Sequence, residues 1–488
     1  MFKKTIANTS IIVMAIVFLS KILGFLRQML IAGYFGVSFE TDAFFLAQGM
    51  PSMIFPAVAN SLSTAFITVY SIKRSHSDDK GNHFINDTLK LTIFLSIFLS
   101  VISLIFLPTL VNLFAPGFDN KTSSLAIDLT KMVMITFIFI MLQYILIAIL
   151  NSNQKYYAAQ FSSVVFNILI VIITIAFGNR SNIYILNATV IIGLIVQDIF
   201  LIFFCFKDFK FKLTEKIDFK NIKHLLKIAI PIVFGNSLIQ INNIVDKAVA
   251  SNVSNGAISA LSYSTNLTEI VNGVFIMSLS TVLFPSLADF AAKKNFGRFV
   301  EELKKNLNLL IFILIPITLI TFFYSKEIVM LVYSRGSFNN KAVYLTTKAM
   351  IFYSPMFLFS AMRETYTKAF YAIGDAKTPM INSCLGVLIN VLSSIMLAPI
   401  LGVGGIAIGT SISAFVTSIL LNRKIKSRYG KVIDSKKLLF YFLIDLIVVI
   451  IFKRFINFGS NLINFSLVTL IVFSINFYIK FIYNKQLR

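Results

Sequence analysis

The chain carries about fourteen apolar runs, each close to the roughly 20 residues that a helix needs to cross a bilayer. They begin near Ile11, Ala43, Leu89, Leu129, Ala159, Ile183, Leu225, Ala257, Leu307, Thr347, Met380, Val403, Leu438 and Leu462. Hydrocarbon offers the backbone no water, so a spanning segment must satisfy its own hydrogen bonds, and a helix does so. The expected fold is an all-α polytopic membrane protein. Composition agrees: 57% of the 488 residues are hydrophobic and 13% charged, against about 45–50% and 25% in soluble domains. The formal charge of +23 does not point to nucleic acid. Most basic residues lie in loops between apolar runs, where the positive-inside rule explains them. Cys205 and Cys384 both sit in apolar runs and give no metal spacing or disulfide framework.

Loop charges alternate. Basic clusters occupy one set of loops: Lys73, Arg74 and Lys80; the series from Lys207 to Lys227; Lys293 to Lys305; and Arg423 to Lys437. The loops 36–42, 251–256 and 401–405 between them carry no Lys or Arg. The loop with Lys326, Arg335 and Lys341 runs against the pattern. The balance places both termini in the cytoplasm, as an even number of spans requires. The first run follows Phe2-Lys3-Lys4 and lacks a small-residue cleavage site, so it reads as an uncleaved anchor.

The first run also holds two cations, Lys21 and Arg27. Each costs about 2.5–3.5 kcal/mol at the centre of a membrane helix. At 100° per residue, Ser20, Lys21, Gly24, Arg27 and Gln28 share an arc of roughly 120°. That arc must face other helices or a wet cavity. Two cations there read as an anion site, or as snorkelling or paired side chains that bind nothing.

The basic connection at 207–224 divides the chain. Residues 1–206 form one six-helix lobe, 225–422 a second, and 423–488 a basic loop with two extra helices. Ser61-Leu62-Ser63-Thr64 recurs as Ser278-Leu279-Ser280-Thr281, and Lys155 with Asn167 beyond it recurs as Lys377 with Asn390. Such a parallel duplication, its halves related by an axis along the membrane normal, encloses a central cavity. The expected architecture is a V-shaped alternating-access transporter.

Several motifs carry a family resemblance. Ser20 to Arg27, then Phe35-Gly36 and Thr41-Asp42-Ala43-Phe44-Phe45, resemble the start of the MurJ/MviN lipid II flippases. Leu113-Phe114-Ala115-Pro116-Gly117-Phe118, Ser334-Arg335-Gly336-Ser337-Phe338, Phe370 to Pro379 and Gly402 to Ala407 are similar to later motifs of that family. The resemblance implies the multidrug/oligosaccharidyl-lipid/polysaccharide exporter fold in the bacterial cytoplasmic membrane. It also implies movement of an undecaprenyl-diphosphate-linked cell-wall precursor, lipid II, between leaflets. It adds cell-wall synthesis proteins as partners of a monomer, and no nucleic acid.

Carried over by position, Lys21 stands where the family commonly has an essential Arg, Arg27 matches a second, and Asp42 matches an outer acidic residue. Gln28 shares their arc, and Arg363 in the tenth span supplies a further positive charge or a local ion pair with Glu364. The chain departs from the pattern at Phe55 and at Asn266, where family members carry arginine. These losses leave open another lipid-linked glycan, such as a capsule, exopolysaccharide or teichoic precursor.

A second constellation joins Asp246, Asn390, Ser394, the Ile406 carbonyl and Thr410. Sodium-binding family members are similar there but carry a carboxylate at the Ser394 position. Oxygens of this kind suit a coupling Na⁺. They equally suit interhelical hydrogen bonds, with Asp246 paired to Lys247 or another cation. No other cofactor is expected. Catalysis has no apparatus: His76, His83 and His224 lie in basic loops, and Asp78-Asp79 and Glu301-Glu302 sit among Lys and Arg. A drug/cation antiporter would need an acidic cavity, and a non-transporting scaffold would tolerate loss of Lys21 and Arg27.

Overall fold

The computed structural model describes residues 2–178, 182–206, 216–271, 273, 286–433, 435–455, 468–472 and 474. Its helices are α1 (Phe2–Phe35), α2 (Phe39–His76), α3 (Asp78–Ile105), α4 (Leu107–Phe114), α5 (Asn120–Met134), α6 (Thr136–Ser152), α7 (Tyr156–Phe177), α8 (Ile183–Cys205) and α9 (Phe219–Ser251). There follow α10 (Ala257–Val271), α11 (Phe296–Phe323), α12 (Ser325–Tyr333), α13 (Asn340–Tyr353), α14 (Met356–Ala372), α15 (Lys377–Leu401), α16 (Val403–Tyr429) and α17 (Ser435–Phe455). Eight of these are long and apolar enough to cross a membrane, or ten if the bent pairs α5–α6 and α13–α14 each count as one span. Thirteen of the fourteen expected runs begin on these helices. The run near Leu462 begins outside the described residues, as does Ser278–Thr281.

Contacts divide the chain into two compact units. The first is Met1–Ser259 with Gly336–Phe338, the second Ala260–Arg335 with Asn339–Arg488. In the first, α2 packs on α3, α5, α6, α8 and α9, while α7 lies between α1 and α8. In the second, α16 packs on α13, α14 and α15, and α11 on α14 and α17. The division falls at Ser259/Ala260 and not within the connection at 207–224, because α9 lies along α2. The Lys247 ammonium donates to the Phe45 carbonyl at 2.9 Å, and the Gly117 amide to Ser251 Oγ at 3.0 Å.

The helix pattern itself repeats. From α3 to α8 the lengths are 28, 8, 15, 17, 22 and 23 residues. From α11 to α16 they are 28, 9, 14, 17, 25 and 27. The turns before Lys155 and Lys377 close alike. The Lys155 amide donates to the Leu150 carbonyl at 2.8 Å and the Asp375 amide to Phe370 at 2.9 Å. Gln154 (φ 60°) and Gly374 (φ 78°) supply the left-handed residue of each, the helix stop that gives some of the last carbonyls a partner.

Between α1 and α2 the chain reverses in three residues. Gly36 takes φ 62°, and Ser38 begins α2 with a capping box. Ser38 Oγ accepts from the Thr41 amide at 3.3 Å, and Thr41 Oγ1 accepts from the Ser38 amide at 2.8 Å. Such a cap contributes about 0.5–2 kcal/mol. The Ser337 amide donates to the Gly33 carbonyl at 2.7 Å, and its hydroxyl to the Tyr34 carbonyl at 2.8 Å. A Cβ at Gly36 would overlap the Ser337 carbonyl, and one at Gly336 (φ 55°) the Gly33 carbonyl. The Phe35-Gly36 and Arg335-Gly336 motifs therefore meet back to back, in a conformation only glycine adopts cheaply.

In the second unit, Asp375 gathers three donors. It accepts from the Thr378 amide at 3.0 Å, the Thr378 hydroxyl at 2.9 Å and Arg428 Nη1 at 2.8 Å. These bonds, the Thr378 amide foremost, hold its carboxyl below the usual range. A carboxyl lowered on folding adds stability that is complete above the unfolded pKa, about 3.9, and lost as pH falls through the folded value. Asp375→Asn keeps the cap and removes the charge that Arg428 meets, and should therefore cost about 0.2–1 kcal/mol at pH 7. The gap in thermal midpoint between variant and parent in detergent should narrow below about pH 4. A gap that widens on acidification would show that the charge of Asp375 is not what is used.

Candidate substrate-anion site

Arg27 is half-buried on α1, with its guanidinium 5.4 Å from the centre of the Phe166 ring on α7. Phe166 is itself set by α8, since a Cβ at Gly193 would lie 3.0 Å from the ring. One residue on, Asn167 ties α7 to α1. Its amide nitrogen donates to the Ser163 carbonyl at 2.9 Å and reaches Ser20 Oγ at 3.3 Å and the Ser20 carbonyl at 3.4 Å. Of the expected arc, Ser20 and Gly24 face Asn167 and Arg27 faces Phe166, both partners lying on α7. Asn167 Oδ1 and Gln28 Oε1 are buried with no hydrogen-bond partner among the described residues. Lys21 is exposed.

The charge of Arg27 is met by a ring face and, among the described residues, by no carboxylate. A cation–π contact of this kind gives about 0.5–2 kcal/mol, less than the cost of a cation at membrane depth. The guanidinium edge keeps its fork of N–H donors, which matches two oxygens of one phosphate or diphosphate. Lys21 lies six residues back, about 9 Å along the helix axis, and adds a point charge without geometry.

Asp42, on α2, meets the start of α10. It is 1% exposed, and its oxygens accept from the Gly256 amide at 2.6 Å and the Ser259 amide at 2.7 Å. The carboxylate therefore closes the N-terminus of α10, where the helix dipole favours negative charge. Arg363 is on α14 in the second unit, and the local ion pair there uses Lys368, which meets Glu364 at 3.4 Å, and not Arg363. Phe55, at a family arginine position, is fully buried with its ring centroid 3.6 Å from that of Phe137.

Of the proposed ion ligands, the second unit brings four together. Asn390 Nδ2 donates to Thr410 Oγ1 at 2.9 Å, Ser394 Oγ to Asn390 Oδ1 at 3.4 Å, and Thr410 Oγ1 to the Ile406 carbonyl at 3.4 Å. Asp246 belongs to the first unit, where Asn242 Nδ2 lies 3.5 Å from its Oδ2. The expected Asp246–Lys247 pair is replaced by the Lys247 bond to Phe45. No group of three His, Cys, Asp or Glu suited to a metal occurs among the described residues. Sequence reasoning passed over Phe166 and read Lys247 only as a partner for Asp246, although a cation in an apolar run is the same signal that marks Arg27.

Comparison with known proteins places the whole chain. The family model for the lipid II flippase MurJ matches residues 31–478. A probable lipid II flippase MurJ of Buchnera aphidicola subsp. Acyrthosiphon pisum is 30% identical over 443 residues, covering 88% of this chain and 85% of the relative. A solved structure of lipid II flippase MurJ in an inward closed conformation superposes with a TM-score of 0.84 at 28% identity. It covers 98% of this chain and 100% of the other. An inward-facing multidrug resistance MATE transporter of the MOP superfamily shares the fold, with a TM-score of 0.71 at 13% identity over 92% of this chain and 99% of its own. The arginine held open on Phe166 therefore belongs to a transporter, and the chain is a member of the MurJ lipid II flippase family.

Proposed function

We propose that this protein carries lipid II across the bacterial cytoplasmic membrane by alternating access, holding the diphosphate on Arg27 with Lys21 beside it. The observation that supports this is the Arg27 guanidinium, set on Phe166 with no described carboxylate to neutralise it. Another undecaprenyl-linked glycan is the second reading, favoured by the Phe55–Phe137 pair where a family cation is missing. Both cargoes share the diphosphate. Complementation of a strain depleted of its lipid II flippase separates them, because only lipid II transport restores growth.

In that strain Arg27→Ala should lose at least about tenfold in activity while reaching normal membrane levels. Arg27→Lys should keep part of it, since the charge survives and the fork does not. Full growth of the Ala variant would contradict the anion site and favour a scaffold.

Both termini lie on the cytoplasmic side in this reading, supported by the basic clusters. On a background lacking Cys205 and Cys384, cysteines at the exposed positions Glu40 and Asn255 should label from outside with an impermeant thiol reagent. Those at exposed Ser75 and Ser427 should not. The opposite pattern would invert the topology.

We also propose Na⁺ as the coupling ion, supported by the oxygens of Asn390, Ser394, Thr410 and Ile406 on α15 and α16. Sodium at a hundredfold excess over Kd would stabilise the protein by about 2.7 kcal/mol. The thermal midpoint should rise more in sodium than in matched potassium, and Thr410→Ala should abolish the difference. Equal midpoints in the two salts would remove the ion from the mechanism.

A further inference from the structure

Lys247 is a half-buried charge that the site above does not use. It sits on α9, and its side chain crosses to α2, where the ammonium donates to the Phe45 carbonyl at 2.9 Å. Phe45 and Gly49 lie 7 and 11 residues past Ser38, roughly 10–16 Å below the turn between α1 and α2. Arg27 lies 9 residues before Gly36, roughly 13 Å below the same turn. The two cations are thus carried at a similar level of the first unit.

The ammonium fits only because position 49 is glycine. A Cβ there would overlap Lys247 Nζ and would come within 3.1 Å of its Cε. The single described partner of the ammonium is a neutral carbonyl, and no carboxylate pairs with it among the described residues. A peptide carbonyl that already belongs to a helix offers one shared lone pair. It does not cancel a full charge, and an uncompensated intramembrane cation draws an anion.

We infer that Lys247, parked over Gly49, is a further cation for the lipid-linked diphosphate, released from the Phe45 carbonyl when the anion arrives. Its compact ammonium supplies charge without a fork, and it adds positive charge to a unit where Phe55 has replaced a family arginine. This inference rests on the flippase reading. The competing account is purely structural: Lys247 is a pin that fastens α9 to α2.

Two substitutions separate the accounts. Lys247→Met keeps the length and apolar stem and removes the charge. Gly49→Ala keeps the charge and evicts the ammonium from its notch, at little cost to the fold because the displaced atom is the end of a flexible side chain. The probe is undecaprenyl diphosphate titrated onto the purified full-length protein by native mass spectrometry, with undecaprenol as the uncharged control. The inference predicts that Lys247→Met weakens diphosphate binding by about tenfold or more, as loss of a charge-assisted bond does. Gly49→Ala and Lys247→Arg should stay near the parent, and undecaprenol binding should not change in any variant. Equal loss in Lys247→Met and Gly49→Ala would make Lys247 a pin and overturn the inference, as would no loss in Lys247→Met. Arg27→Ala in the same titration tests the underlying reading. If it weakens binding while Lys247→Met does not, only the further inference fails.

Discussion

An unneutralised positive charge inside an apolar helix is the constraint on which the first unit turns. Arg27 on α1 costs about 2.5–3.5 kcal/mol by insertion scales, and its contact with Phe166 gives back about 0.5–2 kcal/mol. On the proposed function, this shortfall is what an anion would make up. The surrounding helices are arranged to keep that charge in one place. Asn167 ties α7 to Ser20 on α1, Gly193 lets the Phe166 ring close on α8, and α7 is held between the two. A positioned guanidinium loses less on binding than a free one, because its geometry is already set.

The second constraint is the backbone at the helix ends, where the first amides and last carbonyls lack intrahelical partners. The turns meet it with short-range chemistry. Ser38 and Thr41 cap α2, Asp42 takes the first amides of α10, and Asp375 takes Thr378 and Arg428. Gly36 and Gly336 let two turns pass within contact of each other's carbonyls. The family motifs at these positions thus mark places where the chain must turn without leaving a backbone group unsatisfied.

The fold was largely legible in the sequence because spanning helices are written in length and hydropathy, and thirteen of the expected starts fall on described helices. The duplication was faint in residues, resting on short matches, and plain in helix lengths. Apolar faces tolerate exchange among Leu, Ile, Val and Phe, so spacing outlasts identity. The cation on α1 was legible for the opposite reason, since charge is rare at depth. What Asp42 touches was not legible: the acid of a motif accepts two backbone amides, which depends on where α10 begins and not on its neighbours in sequence. Lys247 was hidden by Asp246 beside it. Adjacent residues on a helix point about 100° apart, so the nearest opposite charge in sequence was not its partner in space.

The most direct test is transport itself. Purified protein reconstituted into liposomes with lipid II in both leaflets should bring the inner-leaflet pool within reach of a membrane-impermeant enzyme or probe added outside. The account predicts transfer by the wild-type chain and at least about tenfold slower transfer by Arg27→Ala, with equal protein incorporation and with Arg27→Lys between them. Transfer by Arg27→Ala at the wild-type rate would contradict the claim that this charge carries the diphosphate.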